Sequence, residues 1–127
     1  MTVKLLGVVV RQLPQPSVGD LDLVRVLSAF ADPVRLELVR SLAGRREPLS
    51  CSAQAFDVEV TAATLSHHWK VLRDSGVTTT YVSGRNRLIE LRERDLDARF
   101  PGLLGAILSG VDARAVPTSV KNMSAGR

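Results

Sequence analysis

The sequence VTAATLSHHWKVLRDSG, residues 60–76, predicts a capped amphipathic helix. Thr61 is a preferred N-cap residue, and Gly76 is the residue type that most often ends a helix. Val60 before the cap and Leu65 after it have the spacing of a hydrophobic staple, which fixes the angle at which the chain enters the helix. We therefore expect this helix to be firmly anchored.

The two sides of this helix differ in chemistry when successive residues are placed about 100° apart. The apolar side consists of Leu65, Trp69 and Leu72, with His68 at its edge. The opposite side consists of Ala63, Ser66, His67 and Lys70. Small residues allow close approach to DNA, and hydroxyl, imidazole and ammonium groups match base edges in the major groove. The pattern indicates a DNA-reading helix, and an ordinary surface helix is the alternative.

Neighbouring segments favour the DNA-reading interpretation. A short helix is predicted from Ser50 to Phe56, with Ser50 as its cap. Two β-prone runs, 77–82 and 87–92, predict a hairpin after the long helix. The polar and basic residues at the tip of this hairpin are Arg85, Asn86 and Arg87. The predicted elements therefore follow the order helix, turn, helix, wing. The arginines of the wing are expected to enter a minor groove or to contact its flanking phosphates.

Two further helices precede this unit, and one follows it. The first is predicted from an Asp20 cap, and the second from an Asp32 cap with Pro33 at its first position and Gly44 after its end. The helical spacing of the first rests on Leu23, Val24, Leu27 and Phe30, and that of the second on Leu36, Val39 and Leu42. The last helix begins near Pro101, ends before Gly110 and carries Leu103, Leu104, Ile107 and Leu108.

These elements predict a mostly α fold with a small β-hairpin, in the order α-α-α-α-β-β-α. The apolar run Leu5–Val10 adds either a strand or an arm lying on a partner subunit, since it is too short to span a membrane. We predict an N-terminal arm over residues 1–17, a DNA-binding and dimerisation domain over 18–110, and a flexible tail over 111–127, where no period persists.

Composition fits one domain with a polyanionic partner. The chain has 127 residues, 17 Lys and Arg against 13 Asp and Glu, and a net charge of +4. Cationic side chains release counterions when they neutralise DNA phosphates. A single cysteine excludes an intrachain disulfide and predicts a cytoplasmic protein. No Ser-His-Asp, paired-carboxylate or phosphate-loop pattern has workable spacing, so we expect no enzymatic activity.

The segments Ala31–Leu36 and Thr64–Val77, with Gly84-Arg85 in the hairpin, resemble the arsenic-repressor (ArsR/SmtB-type) winged helix-turn-helix regulators. The resemblance spans roughly residues 20–110, and Ser66–Leu72 is its most specific part. It implies a homodimer built from the first and last helices that usually represses transcription. The implied interface residues are Leu23, Val24, Leu27, Leu103, Leu104, Ile107 and Leu108. The implied DNA-binding residues are Thr61, Ala62, Ala63, Thr64, Ser66, His67, Lys70, Arg73, Arg85, Asn86 and Arg87.

The chain departs from that family at the sensor positions. Many members release DNA when a metal binds, but Cys51 stands alone where they carry a cysteine pair, and one thiolate is a poor soft-metal site. His67 and His68 are adjacent and cannot share an ion. We expect no metal or other cofactor. Cys51 is interpreted as a packing residue, with redox sensing as the alternative, and Trp69 and His68 as core residues.

Two functions are compatible with these features. The first is a homodimeric, sequence-specific regulator of double-stranded DNA, acting as a repressor on an inverted repeat, with a small organic inducer or none. The second is a winged-helix protein-interaction module without specific DNA binding. Preference for one duplex sequence over random DNA at physiological salt distinguishes them.

Overall fold

The computed structural model describes residues 2–5, 7–52, 56 and 58–114, which form two hairpins, a short strand and five helices. The strands are β1 (Thr2–Leu5), β2 (Val8–Gln12), β3 (Leu49–Ser50), β4 (Thr78–Ser83) and β5 (Asn86–Leu91). The helices are α1 (Leu23–Phe30), α2 (Pro33–Leu42), α3 (Ala62–Asp74), α4 (Glu93–Arg99) and α5 (Leu103–Arg114), with a 3₁₀ turn at Val18–Asp20. Within the described part of the chain, no helix is both long and apolar enough to cross a membrane.

Capping side chains define where the first two helices begin. Asp32 accepts a hydrogen bond from the backbone N–H of Arg35 at 3.0 Å, and Pro33 occupies the first turn of α2, as predicted. The cap of α1 is Asp22, whose carboxylate accepts from the Arg25 N–H at 3.0 Å. The prediction of Asp20 as this cap was wrong, because Asp20 lies in the 3₁₀ turn before the helix.

The core lies where α1, α2, α3 and the sheet meet. Burying this apolar surface is the main favourable contribution to folding. Its members include Val26, Phe30, Leu38, Val39, Leu42, Leu65, Trp69, Leu72, Val77, Ile89, Leu96 and Leu104. Leu36, predicted in the buried stripe of α2, is only partly buried, and Leu38 takes its place.

The antiparallel sheet has the order β1-β2-β4-β5-β3. The hairpin β4–β5 is the predicted wing, and Ser83 pairs with Asn86 across its tip. The N-terminal run forms a second hairpin, β1–β2, which joins the wing through the pairs Arg11 with Val82 and Gln12 with Tyr81. The expected N-terminal strand is therefore part of the chain's own sheet.

The helix predicted from Ser50 to Phe56 is contradicted at its start. Leu49 and Ser50 form β3, and the Cys51 N–H donates to the Arg87 carbonyl at 3.0 Å. Pairing with β5 satisfies these backbone groups and takes precedence over the local helix pattern. Positions 53–55 and 57, on which the rest of the prediction rests, lie outside the described residues.

Two helices follow the wing where the sequence predicted one. The extra helix, α4, begins with the acidic residues Glu93 and Asp95 in its first turn and buries Leu96. The last helix runs to Arg114 and buries Val111, so residues 111–114 do not belong to the predicted flexible tail. Residues 115–127 of that predicted tail lie outside the described residues.

Two partly buried hydrogen bonds attach the segment before α1 to the end of the wing and to α4. Arg92 donates to the Pro16 carbonyl at 2.7 Å, and Arg99 donates to the Leu21 carbonyl at 2.9 Å. Gly76, which ends α3 with φ +88°, lies against the same segment, and a Cβ there would overlap the Leu21 side chain. Only glycine combines this backbone conformation with so close an approach.

Candidate nucleic-acid interface

Helix α3 has the two chemically different sides that the sequence predicts. Its inner side buries Leu65, His68, Trp69 and Leu72. Trp69 packs edge-on against Phe56, with ring centroids 5.1 Å apart, and its indole N–H donates to the Cys51 carbonyl at 3.3 Å. The residues exposed along the other side and the first turn are Ala62, Ala63, Thr64, Ser66, His67 and Lys70. Their contact with DNA stays a prediction, but each is accessible.

The Thr61 hydroxyl is occupied by capping α3. It accepts from the Thr64 N–H at 3.1 Å and donates to the Thr64 hydroxyl at 2.9 Å. Thr61 is exposed, but its hydroxyl proton is already used inside the protein. Thr61 therefore acts first as a positioning residue for the N-terminus of α3, where backbone N–H groups suit an anion.

The cations of α3 are held by an acidic neighbour. The Lys70 ammonium lies 2.6 Å from the Asp74 carboxylate, and the Arg73 guanidinium lies 4.0 Å from it. An exposed ion pair one helical turn apart contributes about 0.3–0.5 kcal/mol. Lys70 is exposed, so exchanging Asp74 for a phosphate or a base edge costs little. Arg73 is half-buried and less free to move.

His68 fixes α3 to the junction between α1 and α2. Its Nδ1 accepts from the Arg35 guanidinium at 3.1 Å, since arginine has only donors, and lies 3.9 Å from the Asp32 carboxylate. Arg35 also donates to the Ala29 and Ser28 carbonyls at the end of α1. The sequence placed His68 at the core edge but missed Arg35 as its partner.

This cluster keeps His68 neutral. Burial lowers the pKa of His68 below its ordinary value, and the Arg35 charge lowers it further, whereas the Asp32 charge raises it. Burial by itself raises the pKa of Asp32, but the backbone N–H of Arg35 and the charges of His68 and Arg35 bring it below its ordinary value. The neutral imidazole is the form that accepts from Arg35.

The wing presents its predicted residues at one end of the sheet. Arg85, Asn86 and Arg87 are exposed, and Gly84 turns the chain with φ +59°. A cavity of about 230 Å³ lies between α3 and the sheet. Its lining residues are Cys51, Ser66, Trp69, Lys70, Arg73, Thr80, Arg87 and Ile89. The wing and the exposed side of α3 therefore converge on one cationic groove.

Cys51 lies half-buried in this groove, as predicted for a packing residue. Burial raises the pKa of its thiol, and the neighbouring Arg87 charge offsets this only in part. A thiol that stays protonated reacts slowly with oxidants, since the thiolate is the reactive form. Among the described residues, no three His, Cys, Asp or Glu side chains gather to hold a metal ion. The absence of a metal site stays a prediction.

The candidate interface residues fall into two groups. Leu23, Val24 and Leu27 are exposed on α1, and Val24 retains 72% of its accessible surface. On α5, Leu104 is buried in the chain's own core and has little surface to offer a partner. The remaining α5 candidates, which are half-buried, are Leu103, Ile107 and Leu108.

Comparison with known proteins agrees with this geometry. Residues 30–81, from the end of α1 into β4, match the profile of a family described as a helix-turn-helix domain. The chain is 31% identical over 80 residues to the uncharacterized HTH-type transcriptional regulator YceK of Bacillus subtilis (strain 168), an alignment that covers 63% of this chain and 80% of that protein. The chain therefore belongs to the helix-turn-helix family of DNA-binding transcriptional regulators.

Proposed function

We propose that this protein is a homodimeric repressor of the ArsR/SmtB type that binds an inverted-repeat operator without a metal cofactor. Each α3 enters a major groove, and each wing contacts the flanking backbone. Repression results from occupying a promoter. The half-sites are about 34–36 Å apart, the distance of one helical turn.

One observation carries this proposal. His67, Lys70 and Ser66 are exposed on one side of α3, and the residues on the opposite side of the helix are buried in the core. A helix anchored by Trp69 and His68 can hold side chains in a fixed position against base edges. Readout of bases requires such positioning, because hydrogen bonds to base edges are directional.

The exposed apolar stripe on α1 supports the homodimer. Leu23, Val24 and Leu27 retain 44%, 72% and 43% of their accessible surface. A contiguous apolar stripe of this kind on one helix is typical of an interaction surface. Its burial against a second copy, together with the half-buried apolar residues of α5, gives two recognition helices in one particle.

Replacement of His67 or Lys70 by alanine tests the reading surface. We expect each variant to bind its operator more weakly by about 1–3 kcal/mol, the range for losing a base contact, with little change on random duplex. Arg94→Ala is the control, because Arg94 is exposed on α4, beside the sheet face opposite to the groove. The operator is first located by genomic footprinting, and affinities are measured by fluorescence anisotropy.

Unchanged operator affinity in both variants would remove α3 as the reader. Equal affinity of the unaltered protein for operator and random DNA would instead favour the protein-interaction module.

Replacement of Val24 by glutamate tests the dimer separately. An unpaired charge in an apolar interface is costly to desolvate, so we expect a monomer in sedimentation equilibrium and loss of cooperative binding to the two half-sites. Folding should be preserved, since Val24 is exposed in the single chain. A Val24→Glu protein that stays dimeric would exclude α1 as the dimer surface.

A further inference from the structure

The N-terminal hairpin extends the wing sheet at the end that carries the wing tip. Strand β2 pairs with β4 through Arg11 and Val82, and the Leu13 N–H donates to the Thr80 carbonyl at 2.9 Å. Counting one residue for one residue from these pairs, Val9 is level with Gly84 and Val8 with Arg85. The turn between β1 and β2, where Gly7 has φ +79°, therefore lies beside the wing tip.

The register also decides which side chains share a face of the sheet. Arg11 is opposite Val82, and Val82 is opposite Arg87, so all three project to the same side. Lys4 pairs with Val9, two residues before Arg11, and projects to that side as well. Neighbouring strands are about 4.8 Å apart, which places the Arg11 and Arg87 backbones roughly 10 Å apart.

This side of the sheet faces the groove beside α3. Arg87 lines the cavity together with Lys70 and Arg73 of α3. Arg11 on β2 continues this row away from α3, and Lys4 on β1 projects to the same side, offset by two residues along the strand. A separation of roughly 10 Å corresponds to about three base-pair steps at 3.4 Å per step, so this row can follow a phosphate backbone.

The charged side chains of the β1–β2 hairpin and the neighbouring wing tip are all positive. The segments 2–5, 7–12 and 82–87 contain Lys4, Arg11, Arg85 and Arg87 but no aspartate or glutamate. All four cations are exposed, and within the described part of the chain none of them has an ion-pair partner. Lys70 and Arg73 on α3, by contrast, lie beside Asp74. Unpaired cations have no ion pair to break before they bind a phosphate.

We propose that the β1–β2 hairpin is a second wing, which binds the DNA backbone outside the segment contacted by the first wing, through Lys4 and Arg11. The proposal rests on the DNA-binding function proposed above and extends it to a surface that the helix-turn-helix match does not include, since that match begins at residue 30. The contacts are with phosphates and are independent of sequence. Edge-strand protection by cations is the competing explanation for Lys4 and Arg11.

The experiment measures how the dissociation constant of the full chain depends on NaCl concentration, on operator and on random duplex. Each lost phosphate contact lowers the slope of log K against log salt by about 0.9, which corresponds to about fivefold in affinity at 0.15 M salt. For Lys4→Gln/Arg11→Gln we expect a slope lower by about 1.8 and roughly equal losses on both duplexes. Arg94→Gln is the control, and Arg11→Lys should restore most of the slope at that position.

Shortening the duplex gives an independent measurement. Removing base pairs outside the first wing should weaken the unaltered protein and leave the double variant unaffected, because the variant has no contact there to lose. A double variant with the unaltered slope and affinity would overturn the second wing. If the His67 and Lys70 variants still lose operator binding in that case, the reading surface stands. If they also bind normally, the proposed function fails as well.

Discussion

His67 and His68 are neighbours in the chain, but they belong to opposite sides of α3. His67 is exposed, whereas His68 retains 8% of its accessible surface and contacts Arg35 and Asp32. The inner side fixes the helix to the junction of α1 and α2, and the outer side is left for a partner. Substitutions on the two sides of α3 should therefore have different effects. Those on the inner side should reduce stability, and those on the outer side should reduce DNA affinity.

The largest effect is expected from Trp69→Ala. Trp69 is 4% exposed and packs against Phe56, so its truncation leaves a cavity beneath α3. Losing a buried tryptophan costs about 3–5 kcal/mol in the free energy of unfolding. Urea denaturation followed by circular dichroism measures it, with Lys70→Ala as the matched outer substitution, for which we expect a change within about 0.5 kcal/mol. Similar losses in both variants would contradict the division into two sides.

Asp32→Ala is expected to reduce the free energy of unfolding less than Trp69→Ala does. It removes the cap of α2 and the carboxylate beside His68, and the loss of a cap costs about 1 kcal/mol. Asp22→Ala removes the corresponding cap of α1, which is exposed and has no histidine partner among the described contacts. Thermal unfolding should show the greater loss for Asp32. An equal loss would mean that the contact with His68 adds nothing to capping.

Acidification tests the buried environment of His68. Because burial holds the pKa of His68 below its ordinary value of 6.5, the folded state binds fewer protons than the unfolded chain. The resulting stability is complete above pH 6.5 and is lost as the pH falls through the lowered pKa. The urea midpoint should fall from about pH 7 to about pH 5 more steeply in the unaltered protein than in His68→Asn, whose amide oxygen can accept from Arg35. An equally steep fall in His68→Asn would contradict the assignment.

The smallest effect is expected from Cys51. Burial raises the pKa of its thiol, so neither peroxide treatment nor Cys51→Ala should change operator affinity by more than about twofold. The Cys51 carbonyl, which accepts from Trp69, remains in the variant. Release of DNA by peroxide from the unaltered protein alone would support the redox alternative.

Local patterns were sufficient to predict α3 and the β4–β5 hairpin. Thr61, Gly76 and the apolar spacing between them give the bounds of α3, and the basic turn at Gly84 lies where two β-prone runs meet. These features depend on residues close together in the chain. Cap chemistry and hydrophobic period therefore predict them.

Other parts of the fold were not predicted, chiefly because they depend on pairing between distant parts of the chain. Strand β2 joins β4 because Arg11 pairs with Val82, about seventy positions later in the chain. No pattern within β2 predicts this partner. The same holds for β3, where pairing with β5 replaced the expected start of a helix. Helix α4 was missed because its seven residues bury only Leu96, which gives no period to detect. Lys4 and Arg11 became candidates only once their neighbours in the sheet were known.

Gly76 connects the two proposed DNA-binding surfaces, the exposed side of α3 and the β1–β2 hairpin. The residue makes room for Leu21, and Leu21 belongs to the linker that connects the second hairpin to α1 and is attached to α4 by Arg99. Any larger residue is strained at φ +88°, and its Cβ would overlap the Leu21 side chain, which would have to move. A change at Gly76, which makes no proposed DNA contact itself, is then expected to shift both α3 and the β1–β2 hairpin. In a genetic screen it would have the phenotype of an operator-contact mutant.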